Sequence, residues 1–332
     1  KFLQVDVVLF NAIVEDLFPG VEVPKQDSGA LMACLKKCLE DNELRVTDSW
    51  VDKAIQLYEV LGIRFGVMQV GPSGGGKTCM ARCLADAMGK LRQEGSPDRE
   101  HQVTHTYCLN PKSISLGELY GNYNLLTNEW SDGLGSTIIR EANSDTSEDK
   151  KFIVFDGPID AIWIESMNTV LDDNRTLCLP NGERIKLNGF TMRMLFEVED
   201  CKEASPATVS RLGVVWLPAE ALGLRPPVET WIAKYAPEGM SQVHKEHFMK
   251  LFDEMVDLGI SWVRRNCKEL IPASDNNLIM SFCRLFQSLF VEKKGAKLDD
   301  ANIEDILKMM FMWSFVWSIG GNINGPDSKQ KF

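Results

Sequence analysis

Two patterns of hydrophobicity divide the chain. Up to about residue 217, short apolar runs alternate with longer amphipathic stretches. The runs Phe65–Val70, His105–Leu109, Phe152–Phe155, Thr191–Val198 and Val214–Leu217 read as strands, the first of them buried. Between them apolar residues recur at helical spacing, as in Cys79–Leu91 with Met80, Leu84, Ala87, Met88 and Leu91. Asp27 or Ser28 can cap a helix to about Asp41, and Thr47 or Asp48 a second to about Leu61. Ser205-Pro206 reads as a cap and first turn of a short helix ending at Arg211. Strands alternating with helices predict an α/β domain over 1–224, a parallel sheet covered by helices on both faces. Beyond Arg225-Pro226-Pro227 only amphipathic runs follow: 228–235, 243–267, 277–292 and 302–319. They predict a smaller all-α domain over 225–332, and the stripe Phe311, Trp313, Phe315, Trp317 reads as its core.

Two segments interrupt the alternation. Gly117, Gly121, Gly133 and Gly135 punctuate 112–140 and mark an insert near 121–135. Leu177–Leu187 reads as a hairpin turning at Asn181-Gly182, a pair suited to a type I′ turn. Asn143–Lys151 is charged and reads as solvated, and Pro158 opens a helix through Trp163 and Met167 to about Leu171.

Composition narrows the classes. A length of 332 residues accommodates about two domains. The net charge is −11 and the basic residues are scattered, so no nucleic-acid partner is expected. No apolar run approaches the ~20 residues of a membrane span, so no membrane partner is expected either. The nine cysteines form no CxxC pair; Cys34/Cys38 and Cys79/Cys83 read as small buried thiols, which suits a reducing compartment. His244 and His247 share a helix but have no nearby Cys to complete a zinc set. The chain begins with Lys1 without a signal peptide and reads as an excerpt from a longer one.

The chemistry concentrates at Gly71-Pro72-Ser73-Gly74-Gly75-Gly76-Lys77-Thr78. It matches G-x-x-x-x-G-K-[ST] at every fixed position and lies between a strand run and a helical run, the context that distinguishes a P-loop from a glycine-rich turn. The glycines let backbone N–H groups face a phosphate at the positive end of a helix. Lys77 is the cation for β- and γ-phosphates, and the Thr78 hydroxyl is the expected Mg²⁺ ligand, with Cys79 beginning the helix. About eighty residues on, the strand Phe152–Phe155 delivers Asp156 at its carboxyl end, where a P-loop protein places a carboxylate near Mg²⁺. ATP or ADP with Mg²⁺ is the expected ligand.

A P-loop sheet domain followed by a helical domain resembles an AAA+ module. The segment Phe155-Asp156-Gly157-Pro158-Ile159-Asp160-Ala161-Ile162-Trp163-Ile164-Glu165 is similar to the second AAA+ module of dynein heavy chains. So are Asn168–Asn174, Ala207-Thr208-Val209-Ser210-Arg211 and Asp16-Leu17-Phe18-Pro19-Gly20, and Gly157–Trp163 looks more axonemal than cytoplasmic. The resemblance, which extends over nearly the whole chain, implies that Leu17, Phe18 and Pro19 lie against the adenine. It implies that the insert near 121–135 and the hairpin 177–187 face the motor's linker. Arg211 would be an arginine finger for the preceding module, a charge aimed at the transferring phosphoryl group. Implied partners are the neighbouring modules, the light and intermediate chains and the microtubule. The implied setting is cytoplasm and cytoskeleton, in a cilium or flagellum axoneme.

Two departures from working AAA+ hydrolases stand out. The glutamate that usually follows the magnesium aspartate is replaced by Gly157, and the region that usually supplies an asparagine near the γ-phosphate carries Glu197 and Glu199, which strand alternation puts on one face. Nucleotide binding with little or no hydrolysis is therefore expected. Three alternatives stay open: an ATPase using Asp160 or Glu165 as base, a small-molecule kinase on the same P-loop, and a structural module whose P-loop stays empty.

Overall fold

The strands that read as unbroken apolar runs pair into one sheet. In chain order the first elements are α1 (Gln4–Leu17), α2 (Gly29–Asp41), α3 (Asp48–Ile63), β1 (Gly66–Val70), α4 (Lys77–Gln93) and β2 (Thr104–Leu109). Next come α5 (Leu116–Tyr120), β3 (Gly121–Tyr123), β4 (Trp130–Asp132), α6 (Leu134–Ser144) and β5 (Lys150–Asp156). They are followed by α7 (Ala161–Ile164), α8 (Asn168–Leu171), β6 (Thr176–Cys178), β7 (Arg184–Lys186), β8 (Met192–Val198), α9 (Pro206–Arg211) and β9 (Gly213–Trp216). The computed structural model describes residues 4–20, 28–218, 222–237, 240–290 and 302–325. Contacts divide the chain into two compact units, Lys1–Ala30 and Leu31–Phe332. The first contains α1, whose residues Leu9, Ile13 and Leu17 are exposed, as is Phe18 after it.

The sheet order is β2-β5-β8-β1-β9, every pair parallel. Because the three central strands are covered on both faces, β1, β5 and β8 can be apolar at consecutive positions, whereas the edge strand β2 is largely exposed. One face packs Phe155, Phe196 and Met68 against Trp163, Met167 and Leu171; Phe155 stacks on Trp163 at 5.5 Å and on Phe196 at 5.2 Å. The other packs Val67, Val154 and Leu195 against α2, α3 and α4. The chain leaves β1 toward β2 on one side, while β9 lies on its other side. That reversal places a crevice at the carboxyl end of β1, where ligands bind in open α/β sheets.

After residue 224 come α10 (Arg225–Tyr235), α11 (Gln242–Asn266), β10 (Lys268–Glu269), α12 (Asp275–Ser288), α13 (Ile303–Ser318) and β11 (Ile323–Asn324). The helices enclose their own core, in which Phe248, Phe252, Phe282, Phe286 and Phe311 meet. A P-loop α/β sheet followed by an all-α lid is the AAA+ architecture.

Several local expectations are corrected. Among the described residues the helical region contains one small strand pair, β10 with β11, where Glu269 pairs with Ile323 just beyond the α11 terminus. Phe311 and Phe315 are buried, but Trp313 and Trp317 are 46% and 62% exposed. Two residues is half a helical turn, so those tryptophans face the other way. Lys150 and Lys151 are buried in β5 rather than solvated, their amines reaching Glu100 at 2.7 Å and Asp145 at 3.1 Å. The helix expected from Pro158 begins at Ala161 and is broken by a 3₁₀ turn over Glu165–Met167.

Both inserts are hairpins, β3 with β4 and β6 with β7. The turn of the second is not type I′. Gly182 has φ +87° while Asn181 is not in the positive-φ region, and the Gly182 N–H donates to the Leu179 carbonyl at 2.9 Å. Pro180 explains this, because its fixed φ suits the second position of a type I turn and leaves the left-handed residue to Gly182. Arg140 of α6 ties the hairpins together, donating to Glu183 at 2.7 and 3.0 Å and to Asp132 at 3.1 Å.

Candidate functional site

The carboxyl end of β1 runs into the glycine loop, and α4 begins at Lys77. Gly74 and Gly76 have φ of +81° and +84°, where a side chain would be strained. Gly71 passes so close to β9 that an added Cβ would lie 2.2 Å from the Leu217 carbonyl oxygen. The loop closes on itself through Gly75 N–H to the Pro72 carbonyl at 3.1 Å. These constraints present a concave run of backbone N–H groups at a helix N-terminus, which is an anion site.

Lys77 is half-buried and folds back, donating to the carbonyls of Gly71 and Pro72 at 2.7 and 2.9 Å. Burial pulls its ammonium below the usual lysine range, opposed by the charges of Glu197, Asp156 and Glu199. Thr78, the candidate metal ligand, donates its hydroxyl to Glu197. Asp156 ends β5 as the exposed residue of an otherwise buried strand, and its register partner on β8 is Glu197. Thr78, Glu197 and Asp156 therefore form one oxygen-rich corner beside Lys77. Burial pushes the Glu197 carboxyl above the usual glutamate range and the Asp156 charge adds to this, while the Thr78 hydroxyl and the Lys77 charge act the other way.

This donor set fits Mg²⁺, a hard cation that takes oxygen ligands and usually keeps several waters. Among the described residues no cluster of three or more His, Cys, Asp or Glu could hold a metal by itself. A cation here would therefore draw on phosphate oxygens as well as on Thr78 and Asp156. Glu199, expected to share the face of Glu197, lies past the end of β8 and is exposed. Gly157 puts no carboxylate beside Asp156, and a Cβ there would lie 2.8 Å from Asn110 Oδ1. Asp160 is engaged elsewhere: it caps α7 by accepting from Ile162 N–H at 3.0 Å and pairs with Lys112.

A cavity of about 310 Å³ adjoins Gly74, Gly76 and Cys79. Leu39, Leu44 and Trp50 wall one side, and Pro226, Trp231 and Met280 wall the other. Its size is at the lower end of the ~300–1,000 Å³ range of small-molecule sites, and its largely apolar walls suit a planar base. The all-α region reaches the P-loop directly. Asn276 donates to the Gly74 carbonyl at 3.0 Å and Ser274 to the Ser73 carbonyl at 3.4 Å. None of these wall residues was anticipated. The one signal was Pro226-Pro227, whose rigidity reads as a boundary and also lines the cavity. Leu17, Phe18 and Pro19, expected near the base, belong to the N-terminal unit. Arg211 ends α9 and donates to Asp172 of its own chain.

Three family models match in succession. Residues 1–78 match the hydrolytic ATP binding site of the dynein motor region, 66–212 an AAA domain of the dynein-related subfamily, and 248–332 the dynein heavy chain AAA lid domain. The chain is 45% identical over 325 residues to human dynein axonemal heavy chain 6, covering 97% of this chain and 8% of that protein. It is 39% identical to human dynein axonemal heavy chain 2, covering 99% of this chain and 7% of that one. It is also 35% identical to the Chlamydomonas reinhardtii dynein-1-beta heavy chain of the flagellar inner arm I1 complex, covering 100% of this chain and 8% of that one. The chain belongs to the dynein heavy-chain family. It spans less than a tenth of the length of these relatives, as one AAA domain and its lid. The first model ends at Thr78 and so includes neither Asp156 nor Gly157.

Proposed function

We propose that this chain is the second AAA+ module of a dynein motor ring and holds ATP or ADP with Mg²⁺ with little or no hydrolysis. The observation that carries this reading is an intact phosphate cradle, Lys77 and Thr78 beside Asp156, next to a carboxyl-less Gly157. Binding and metal residues are present, while no side chain at 157 can accept a proton from water. The alternative base Asp160 is already engaged as a helix cap and by Lys112, which supports the non-hydrolysing reading. Gly71–Cys79 would bind the phosphates, Thr78 and Asp156 the metal, and Leu17, Phe18 and Pro19 would add to the base contacts.

The base cavity is walled by the sheet region and by the lid, so bound nucleotide would join the two. A ligand that binds only the folded state stabilises it by about 2.7 kcal/mol at a hundred times its dissociation constant. Residues 1–224 and 225–332 are then the large and small halves of one module with the nucleotide between them. Arg211 would reach the nucleotide of the preceding module. The two hairpins would meet the motor's linker, and Leu125 and Leu126, 97% and 95% exposed at the tip of the first, offer an apolar contact there. Neighbouring modules, light and intermediate chains and the microtubule are the partners of the whole motor. The axonemal names of the relatives support a place in the cytoskeleton of a cilium or flagellum. Denaturing the purified chain and identifying the released nucleotide by chromatography tests the binding reading. ATP or ADP at near one per chain is expected, and none released or rebound in Mg²⁺ would refute it.

A further inference from the structure

Beneath the first turn of α4 a row of polar side chains crosses the carboxyl edge of the sheet. Gln69 on β1 and Asp156 on β5 are the two register partners of Glu197 on β8. Register partners project from one face, and two residues earlier Val67, Leu195 and Val154 pack against the helices on α4's side. The row therefore lies under the N-terminus of α4. Glu197 is 3% exposed; its Oε2 accepts from Thr78 and its Oε1 has no partner among the described residues. Gln69 is fully buried, and neither its amide nitrogen nor its amide oxygen has a partner there. Buried polar atoms are nearly always satisfied, so the Gln69 amide nitrogen calls for an acceptor, while Glu197 Oε1 and Gln69 Oε1, two acceptors left over at a phosphate cradle, point to a ligand that also brings donors.

A nucleoside phosphate alone does not bring them. Its oxygens are acceptors, and the Glu197 carboxylate beside Thr78 would repel them. A hydrated divalent cation reverses both terms, because its charge offsets the carboxylates and its waters donate. We infer that Glu197 makes nucleotide binding here depend on a divalent cation, with Glu197 Oε1 and Gln69 Oε1 taking hydrogen bonds from the cation's waters. This rests on the nucleotide-binding reading and adds a specificity-determining residue to it. The row separates metal-bound from metal-free nucleotide, a selection that a neutral asparagine at 197 would not make.

The test is calorimetric titration of the 332-residue chain with ADP and with ATP, in Mg²⁺ and in EDTA, for the parent, Glu197→Gln and Glu197→Asp. The parent should lose most of its affinity in EDTA. Glu197→Gln should bind metal-free ADP roughly tenfold to a hundredfold more tightly than the parent, the size expected for removing one near charge at an interface. Glu197→Asp keeps the charge and should keep the parent's metal dependence, which separates charge from shape. Equal parent affinity with and without metal overturns the inference while leaving nucleotide binding intact. So does an unchanged metal dependence in Glu197→Gln, which would mean that the row only holds a structural water. No binding by any form in Mg²⁺ overturns both this inference and the nucleotide-binding reading.

Discussion

Arg211 and Asp172 form an ion pair within the chain: the guanidinium donates Nε to the carboxylate, and Nη1 to the Ala207 carbonyl at 3.0 Å. Both side chains are about one-third exposed, and such a pair contributes only about 0.2–1 kcal/mol. Asp172 therefore holds Arg211 at the end of α9 without locking it there. A phosphoryl group gathering charge in a transition state competes easily with that contact. In a complete motor, Arg211→Ala should slow hydrolysis at the preceding module, where such fingers contribute about 10³–10⁵ in rate. Labelled nucleotide in this chain's own P-loop should be retained. Normal turnover, or loss of that nucleotide, would reduce Arg211 to a structural partner of Asp172.

Lys77→Ala should weaken nucleotide binding by roughly tenfold to a hundredfold, the worth of one hydrogen bond to a charged group. Among the described residues its hydrogen bonds go to two carbonyls of its own loop, so the ligand-free melting temperature should change little. The comparison of melts with and without MgADP checks this. A variant that loses stability without ligand but keeps its affinity would assign Lys77 to the loop rather than to the phosphate.

The periodicity of the chain was enough for the parallel sheet, the P-loop setting and the helical lid, because each depends on local pattern. Glu197 was noticed as a misplaced acid, but its bond to Thr78 joins residues 119 apart and only the fold brings them together. The base cavity was illegible for the same reason. Leu39, Trp50, Trp231 and Met280 fall in separate stretches of the chain with no local signal of a shared wall, and only the fold brings them around one hollow. The Trp313 and Trp317 error came from reading one apolar helix as all core, when only the phenylalanine side faces inward.

Turnover should be far below the ~1–100 s⁻¹ of working phosphoryl-transfer enzymes. Gly157 offers no acceptor, and Asn110 fills the space a side chain there would enter. Asp160→Ala should lower the melting temperature, since it removes the α7 cap and the Lys112 partner, and should leave the slow phosphate release unchanged. Phosphate release in the working range that disappears in Asp160→Ala would identify Asp160 as a base.

The lid touches the P-loop through Asn276, and this contact predicts how binding spreads. Asn276 is nearly buried at the start of α12 and donates to the carbonyl of Gly74, a residue whose backbone faces the phosphate site. Ser274 makes the longer parallel contact, but it also caps α12 by accepting from Asn277 N–H at 3.3 Å, so its removal would confuse two effects. Asn276→Ala is the cleaner change. It removes one hydrogen bond between lid and loop, a net contribution of about 0.5–1.5 kcal/mol. Hydrogen exchange in MgADP should show the parent gaining protection in α4 and in α12 together, because the cavity is walled from both sides. In Asn276→Ala the gain in α4 should persist while the gain in α12 shrinks. Equal protection of α12 in both proteins would mean that the apolar cavity walls alone couple the lid to the nucleotide.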